Sequence, residues 1–233
     1  LPTQVVDKNS SGVILRTTAL SYDAAGNLLT RSVTANPSGT ARSWNYTYNA
    51  NGLVLTADGP RTDVADVTSY TYHASDDPDP GRRGNIATIT NALGHVTNFT
   101  SYNAHGRPLV LTDPNGLTTA LAYDARQRLT SRTVGGEMTA YTYDGVGQLT
   151  RVTLPDGSFL DYGYDAAHRL AGIADNLGNR IAYTLDLQGN RTLEQVFDPA
   201  NQLAQTRSRL YSNLNRLAQE LGAAAQATTF AYD

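Results

Sequence analysis

Residues 143–165 read YDGVGQLTRVTLPDGSFLDYGYD. The stretch opens and closes on Tyr-Asp. Between these pairs lie two short runs, LTRVTL (149–154) and SFLDYGY (158–164), rich in Thr, Val, Leu and aromatic residues. Runs of six or seven such residues bounded by turn residues read as β-strands. The turn between them is Pro155-Asp156-Gly157, where Pro presets φ and Gly takes the left-handed position. The turn after Tyr143 is built differently. The Asp144 carboxylate can accept a backbone N–H two residues on, and Gly147, four after the Tyr, is placed for positive φ. Tyr162 and Tyr164 are two apart, so in a strand they share a face. The whole stretch is one β-hairpin plus a tight return to the next.

Working outward, the same unit recurs. It opens at Tyr22 (YDAAGNL), Tyr48 (YNANGLV), Tyr102 (YNAHGRPL), Tyr123 (YDARQRL), Tyr143, Tyr164 (YDAAHRL) and Tyr211 (YSNLNRL). Leu185 opens LDLQGNR in the same frame, with Leu in place of Tyr. Tyr72 opens YHASDDPDPGRRGNI, the same unit with residues 73–84 inserted as a loop, and Tyr232-Asp233 begins another. A core period of about 21 residues with occasional insertions fits all ten openings. Tyr-x-Tyr recurs at Tyr46/Tyr48, Tyr70/Tyr72 and Tyr141/Tyr143, with Thr47, Thr71 and Thr142 on the opposite face. Gly26, Gly52, Gly106 and Gly189 repeat the position of Gly147, whereas Gln127 and His168 depart from it and mark strained or differently built turns. The sequence therefore predicts an all-β chain: an antiparallel meander of about ten hairpins, roughly 20 strands. At ~4.8 Å per strand the strip runs about 95 Å along its path, long enough that a twisted sheet curls or closes. The leucines at 203, 210, 214, 217 and 221 compete for a helix, but YSNLNRL (211–217) follows the repeat, so strand and turn are predicted there. Residues 198–209 are predicted as a long, less regular connection.

Composition agrees and excludes several function classes. Of 233 residues, 17% are charged, the net charge is −3, and there is no cysteine. Thr, Asn and Gly fill the gap, as strands and turns require. Without clustered positive charge there is no nucleic-acid footprint. Without cysteine there is neither disulfide, thiol catalysis nor thiolate zinc. No apolar run approaches the ~18 residues of a helical membrane span.

The pattern Tyr-Asp-x-x-Gly-x-Leu-Thr-x-Val, followed by a Pro-Asp-Gly-type turn and another Tyr-Asp, resembles the YD-repeat or RHS-repeat family, over essentially all of residues 1–233. That resemblance implies a β-sheet strip of hairpins spiralling into a hollow shell. In bacterial polymorphic toxins and insecticidal toxin complexes such shells enclose a cytotoxic C-terminal segment, and in teneurins they form a barrel in an adhesion ectodomain. The implied role is a non-enzymatic structural shell segment of a secreted or injected toxin, delivered by a bacterial secretion system such as type VI. Its partners are then adjoining YD repeats and the enclosed toxin segment. The pattern runs to both ends of the sequence, which points to a fragment of a larger shell with open sheet edges able to self-associate. The alternative is a carbohydrate- or cell-surface-binding module of a wall-associated or adhesive protein, with the tyrosines as its stacking face.

No residue is assigned a catalytic, cofactor-binding or metal-binding role, and no cofactor is expected. Asp113-Pro114-Asn115-Gly116 resembles half of the paired Asp-Pro-x-Gly self-cleavage site of some toxins of the family. Such chemistry needs two carboxylates sharing a proton, and positions 133–136 (TVGG) supply none. His73, His95, His105 and His168 lack ligand spacing and read as solvated turn residues. Asp76, Asp77 and Asp79 lack the spaced pattern of a calcium loop, so the insertion reads as an exposed loop. Asp23, Asp124, Asp144, Asp165 and Asp186 recur as turn-formers do, and Arg107, Arg128, Arg169 and Arg216 as their neighbours at the strand entries.

Overall fold

The computed structural model describes residues 1–36, 39–222 and 226–232. Asp233, which completes the last Tyr-Asp pair, and residues 223–225 of the AAAQA run lie outside them. Among the described residues every regular element is a strand. The chain divides into two compact units, Leu1–Ala120 and Leu121–Asp233.

The first unit carries β1 (Gln4–Lys8), β2 (Ile14–Tyr22), β3 (Leu28–Ala35), β4 (Arg42–Tyr48), β5 (Val54–Asp58), β6 (Thr68–Tyr72), β7 (Ile86–Thr90), β8 (Val96–Tyr102), β9 (Pro108–Thr112) and the first half of β10 (Thr118–Tyr123), whose last three residues belong to the second. Each of β1 to β9 pairs antiparallel with the next in sequence. The second carries β11 (Leu129–Val134), β12 (Glu137–Tyr143), β13 (Leu149–Thr153), β14 (Phe159–Tyr164), β15 (Leu170–Asp175), β16 (Arg180–Leu185), β17 (Arg191–Phe197), β18 (Leu203–Tyr211), β19 (Leu217–Leu221) and β20 (Ala227–Thr229). These too pair antiparallel in chain order. The predicted meander of hairpins is what forms.

The long unit from Leu185 to Tyr211 departs from expectation. Residues 203–209 are strand, not irregular connection. The extra length lies in the strands: β17 has seven residues and β18 nine, around a tight loop whose Asp198 N–H donates to the Gln202 carbonyl. Pairing consumes backbone groups that an irregular connection would leave for water, so the longer ladder wins.

A bulge not foreseen from sequence precedes the opening residue of most units. Thr142 pairs with Arg151 but Tyr143 pairs with Leu149, leaving Thr150 over. The same slip occurs at Ser21/Tyr22, Thr47/Tyr48, Thr71/Tyr72, Gly163/Tyr164, Thr184/Leu185 and Leu210/Tyr211. Such a bulge bends the strand and increases its twist at a fixed place in every repeat.

Packing between elements joins only strands adjacent in sequence, so each unit is a single layer of sheet among the described residues. Most globular domains bury one face against a second layer. Among the described residues Tyr102, 8% exposed, is the one buried hydrophobic side chain. The Tyr face is half-buried and the Thr face exposed: Tyr46, Tyr48, Tyr70, Tyr72, Tyr141 and Tyr143 against Thr47, Thr71 and Thr142. On the Thr face, hydroxyls meet across strands at Thr47/Thr56 (2.6 Å), Thr71/Thr88 (2.7 Å) and Thr142/Thr150 (3.1 Å).

Candidate functional site: the tyrosine latches and Asx loops

The Tyr-Asp loop is a five-residue Asx turn. In the loop at Asp144, the Asp144 N–H donates to the Gln148 carbonyl and the Gly147 N–H to the Asp144 carbonyl. The Asp144 Oδ1 accepts from the N–H groups of Val146, Gly147 and Gln148. Asp23, Asp124, Asp165 and Asp186 each take the N–H groups two and four residues on. Asn49 and Asn103 do the same with an amide oxygen. Two of the second turns use the identical device, Asp113 toward Asn115 and Leu117, and Asp175 toward Leu177 and Asn179. The Asp113 carboxylate of the Asp-Pro-Asn-Gly stretch thus serves its own turn.

The second carboxylate oxygen takes a side chain from the loop's end. Arg128 and Arg169 form ion pairs of 2.7 Å with Asp124 and Asp165. Asn27, Asn179 and Asn190 donate amides to Asp23, Asp175 and Asp186 at 2.8, 2.7 and 2.9 Å. The Arg128 and Arg169 backbone N–H groups, with their guanidinium groups, hold Asp124 and Asp165 below the usual carboxylate range. The three asparagine amides do the same for their aspartates. A carboxylate that accepts this many donors is favoured ionised. Gln127 and His168 adopt φ of 63° like the glycines they replace, so those turns are built the same way and carry the strain of a side chain there.

The opening tyrosine reaches back across its hairpin. The phenol of Tyr143, at the end of β12, donates to the carbonyl of Leu129, at the start of β11, at 2.8 Å. The same bond joins Tyr22 to Pro2 (3.1 Å), Tyr48 to Leu28 (2.7 Å), Tyr72 to Val54 (2.7 Å) and Tyr102 to Ile86 (2.6 Å). Tyr164 to Leu149 (2.9 Å), Tyr211 to Arg191 (3.4 Å) and Tyr232 to Leu217 (2.8 Å) continue the series. Each latch ties the strand leaving one loop to the strand entering the next. Burial raises the phenols of Tyr48, Tyr72, Tyr102 and Tyr143 above the ordinary tyrosine value. Arginines lie over two of the rings: Arg128 is 4.6 Å from the Tyr143 centroid and Arg216 4.8 Å from that of Tyr232. The sequence showed the tyrosine frame but not this bond, whose acceptor is a main-chain carbonyl.

The insertion at 73–84 corrects two expectations. Its tip, including Asp76 and Asp79, is exposed, but its base is packed. The His73 side chain is 15% exposed, not solvated. Its Nε2 lies 2.8 Å from the Phe99 carbonyl, and its ring meets Tyr102 edge-on at 6.1 Å. Asp77, 11% exposed, accepts from Arg82 at 3.1 Å, and Gly81 is buried so close to the Tyr102 carbonyl that a Cβ has no room. A loop this long gains more by folding onto the nearest aromatic residues than by standing in water. His95 and His168 sit in turns against Asn91 (3.3 Å) and Gln148 (2.9 Å), and the His105 N–H is held by Asn103. Among the described residues no three His, Asp or Glu side chains converge as a metal site.

Against this repeated geometry stand the comparisons with known proteins. A family model described as teneurin YD-shell matches residues 14–193 and 79–233. The chain belongs to the teneurin YD-shell family. The crystal structure of TcdB2-TccC3-Cdc42 superposes with a TM-score of 0.67 at 18% identity, over 94% of this chain and 13% of that one. TcdB2-TccC3 without its hypervariable C-terminal region gives 0.62 at 16% identity, over 97% of this chain and 15% of that one. Both show a shared fold. A curated relative, the double-stranded DNA deaminase toxin A of Burkholderia cenocepacia (strain H111), is 34% identical over 120 residues. The match takes in 51% of this YD-shell chain and 8% of the relative's length.

Proposed function

We propose that this YD-shell chain is a stretch of wall: a non-enzymatic structural segment whose parent polypeptide encloses a toxin segment and is secreted or delivered by a bacterial secretion system. One observation carries the reading. A globular protein of 25.0 kDa exposes about 10,000 Å², whereas this chain exposes 14555 Å². A sheet one layer thick, latched at eight of its hairpins and without a packed core among the described residues, is suited to dividing one space from another. The regular distribution of side chains agrees, since Asp23, Asp124, Asp144, Asp165 and Asp186 hold their own turns, Arg128 and Arg169 pair with Asp124 and Asp165, and eight tyrosines latch their hairpins. Adjoining repeats are the natural partners for the outer edges of β1 and β20. A relative whose name is that of a toxin, and the shared fold of TcdB2-TccC3, support a toxin setting. A carbohydrate platform is less suited to these tyrosines, because eight phenols are already committed to carbonyls.

The test is limited proteolysis of the polypeptide that carries this chain. The segment following the YD-shell is expected to survive intact while the shell is folded, and to be digested once urea opens it. Digestion of that segment at the same rate with the shell still folded refutes enclosure. Hydrolase, nuclease and deaminase assays of the 233-residue chain are expected to be blank; a specific activity abolished by one Asp or His substitution refutes the non-enzymatic role.

A further inference from the structure

One rung of the tyrosine series is missing. Leu185 ends β16 at the place where Tyr164 ends β14 and Tyr211 ends β18. Across its hairpin lies Leu170, first residue of β15, six after Tyr164 as Leu149 is six after Tyr143. At those equivalent places a main-chain carbonyl accepts a phenol. Leu185 has no hydroxyl to give. Arg169 heightens the mismatch. Arg128 donates its Nη1 to the Asp144 carbonyl and lies over the Tyr143 ring. Arg169 donates its Nη1 to the Asp186 carbonyl in the same way, at 2.6 Å, but the residue in the ring's place is Leu185. An open cleft of about 570 Å³ is found there, lined by Arg169, Leu170, Leu185, Gly189, Arg209 and Tyr211, with Arg191. Tyr211, on its far side, makes the longest of the latches, 3.4 Å.

We infer that this cleft is a binding site for a phenol, the side chain of a tyrosine from a segment outside these 233 residues or a small phenolic molecule. The ring lies under the Arg169 guanidinium, as Tyr143 lies under Arg128, and against Leu185. The hydroxyl donates to the Leu170 carbonyl, supplying the latch that Leu185 lacks. A guanidinium over an aromatic face and a carbonyl at hydrogen-bonding reach of the hydroxyl are both needed. At Tyr143 under Arg128 and at Tyr232 under Arg216 the repeat's own phenol takes up that arrangement, whereas at Leu185 the place is left open. Arg169 stays paired with Asp165 at 2.7 Å, which fixes its plane.

The experiment is NMR titration of the 233-residue chain with p-cresol, toluene and N-acetyl-tyrosinamide, followed at the Leu185 methyls and the Arg169 Nε–H. Saturable shifts with p-cresol are expected, three- to tenfold tighter than with toluene, the worth of one hydrogen bond. If N-acetyl-tyrosinamide binds as well as p-cresol the source is a tyrosine side chain; if only p-cresol binds, the site takes small phenols. L185Y fills the cleft from within: p-cresol shifts are lost, and β15 and β16 amides gain exchange protection. L185F blocks the ligand equally but yields less protection, because it restores the ring without the hydroxyl. Absence of saturable shifts, toluene binding as tight as p-cresol, or unchanged p-cresol binding to a folded L185Y overturns the proposal.

Discussion

Removing a single oxygen from Tyr102 isolates what a latch contributes. Tyr102→Phe keeps the ring that stacks on Phe99 at 6.5 Å and meets His73 edge-on, so packing is retained. What is lost is the 2.6 Å bond to the Ile86 carbonyl. A net intramolecular hydrogen bond contributes about 0.5–1.5 kcal/mol, and an acceptor left unsatisfied where water does not reach costs about 1–3 kcal/mol. Tyr102 is 8% exposed, so its carbonyl partner is poorly solvated once the phenol goes, and a loss of about 2 kcal/mol follows. Tyr22→Phe is the control. Its bond is 3.1 Å and exposed, so water replaces it and about 0.5 kcal/mol or less is lost. Because repeats unfold as near-neighbour units, the loss is best read locally. Amide exchange in β7 and β8 should quicken about 30-fold in Tyr102→Phe, and in β2 by no more than about twofold in Tyr22→Phe. Equal effects at the two sites, or none at Tyr102, would refute the view that the phenols are structural ties.

Three further outcomes are expected. Gly147 has φ of 104° whereas Gly145 in the same loop does not lie in the left-handed region and has open space around a Cβ; Gly147→Ala should therefore cost about 1–2 kcal/mol in urea unfolding and Gly145→Ala nothing, and equal costs would show that the loop does not demand glycine. Acid should loosen the Asx loops together: the folded carboxyls of Asp124, Asp165 and Asp186 lie below 3.8, so the stability they confer is complete above that value and is lost as pH falls through their depressed folded values, seen as loop-amide exchange. Alkali acts on the latches with the opposite sign: the raised phenol of Tyr102 confers stability that is present below 10.0 and lost as pH rises toward its folded value, so tyrosinate absorbance should show Tyr102 ionising with, or after, the release of β7 and β8.

How much of this was legible beforehand follows from where each interaction reaches. The Asx loops were readable at Asp23, Asp144 and Asp165, because donor and acceptor lie two to four residues apart and the chemistry is contained in the loop's own sequence. The strands were readable from alternation, which also placed Tyr and Thr on opposite faces. Even the leucine spacing over 203–221 could be judged, since its repeat frame outweighed its helical period. Gln127 and His168 were legible as exceptions, but their shared φ of 63° came only from the fold, where strands on both sides force the same turn whatever side chain sits in it.

Tertiary structure alone decided which groups meet at longer range. The phenol latches span 14 to 20 residues and end on main-chain carbonyls, which every residue possesses, so no side-chain pattern marks the acceptor. Only hairpin register, set with the bulge before each opening Tyr, brings hydroxyl and carbonyl together. The charge and prolines of the insertion predict an exposed loop, yet His73 and Gly81 pack against Tyr102 from strand β8. Leu185 shows the same division. The sequence marked it as a tyrosine position filled by leucine, but that the substitution leaves a cleft beside Arg169 and Leu170 depends on atoms that register alone makes neighbours.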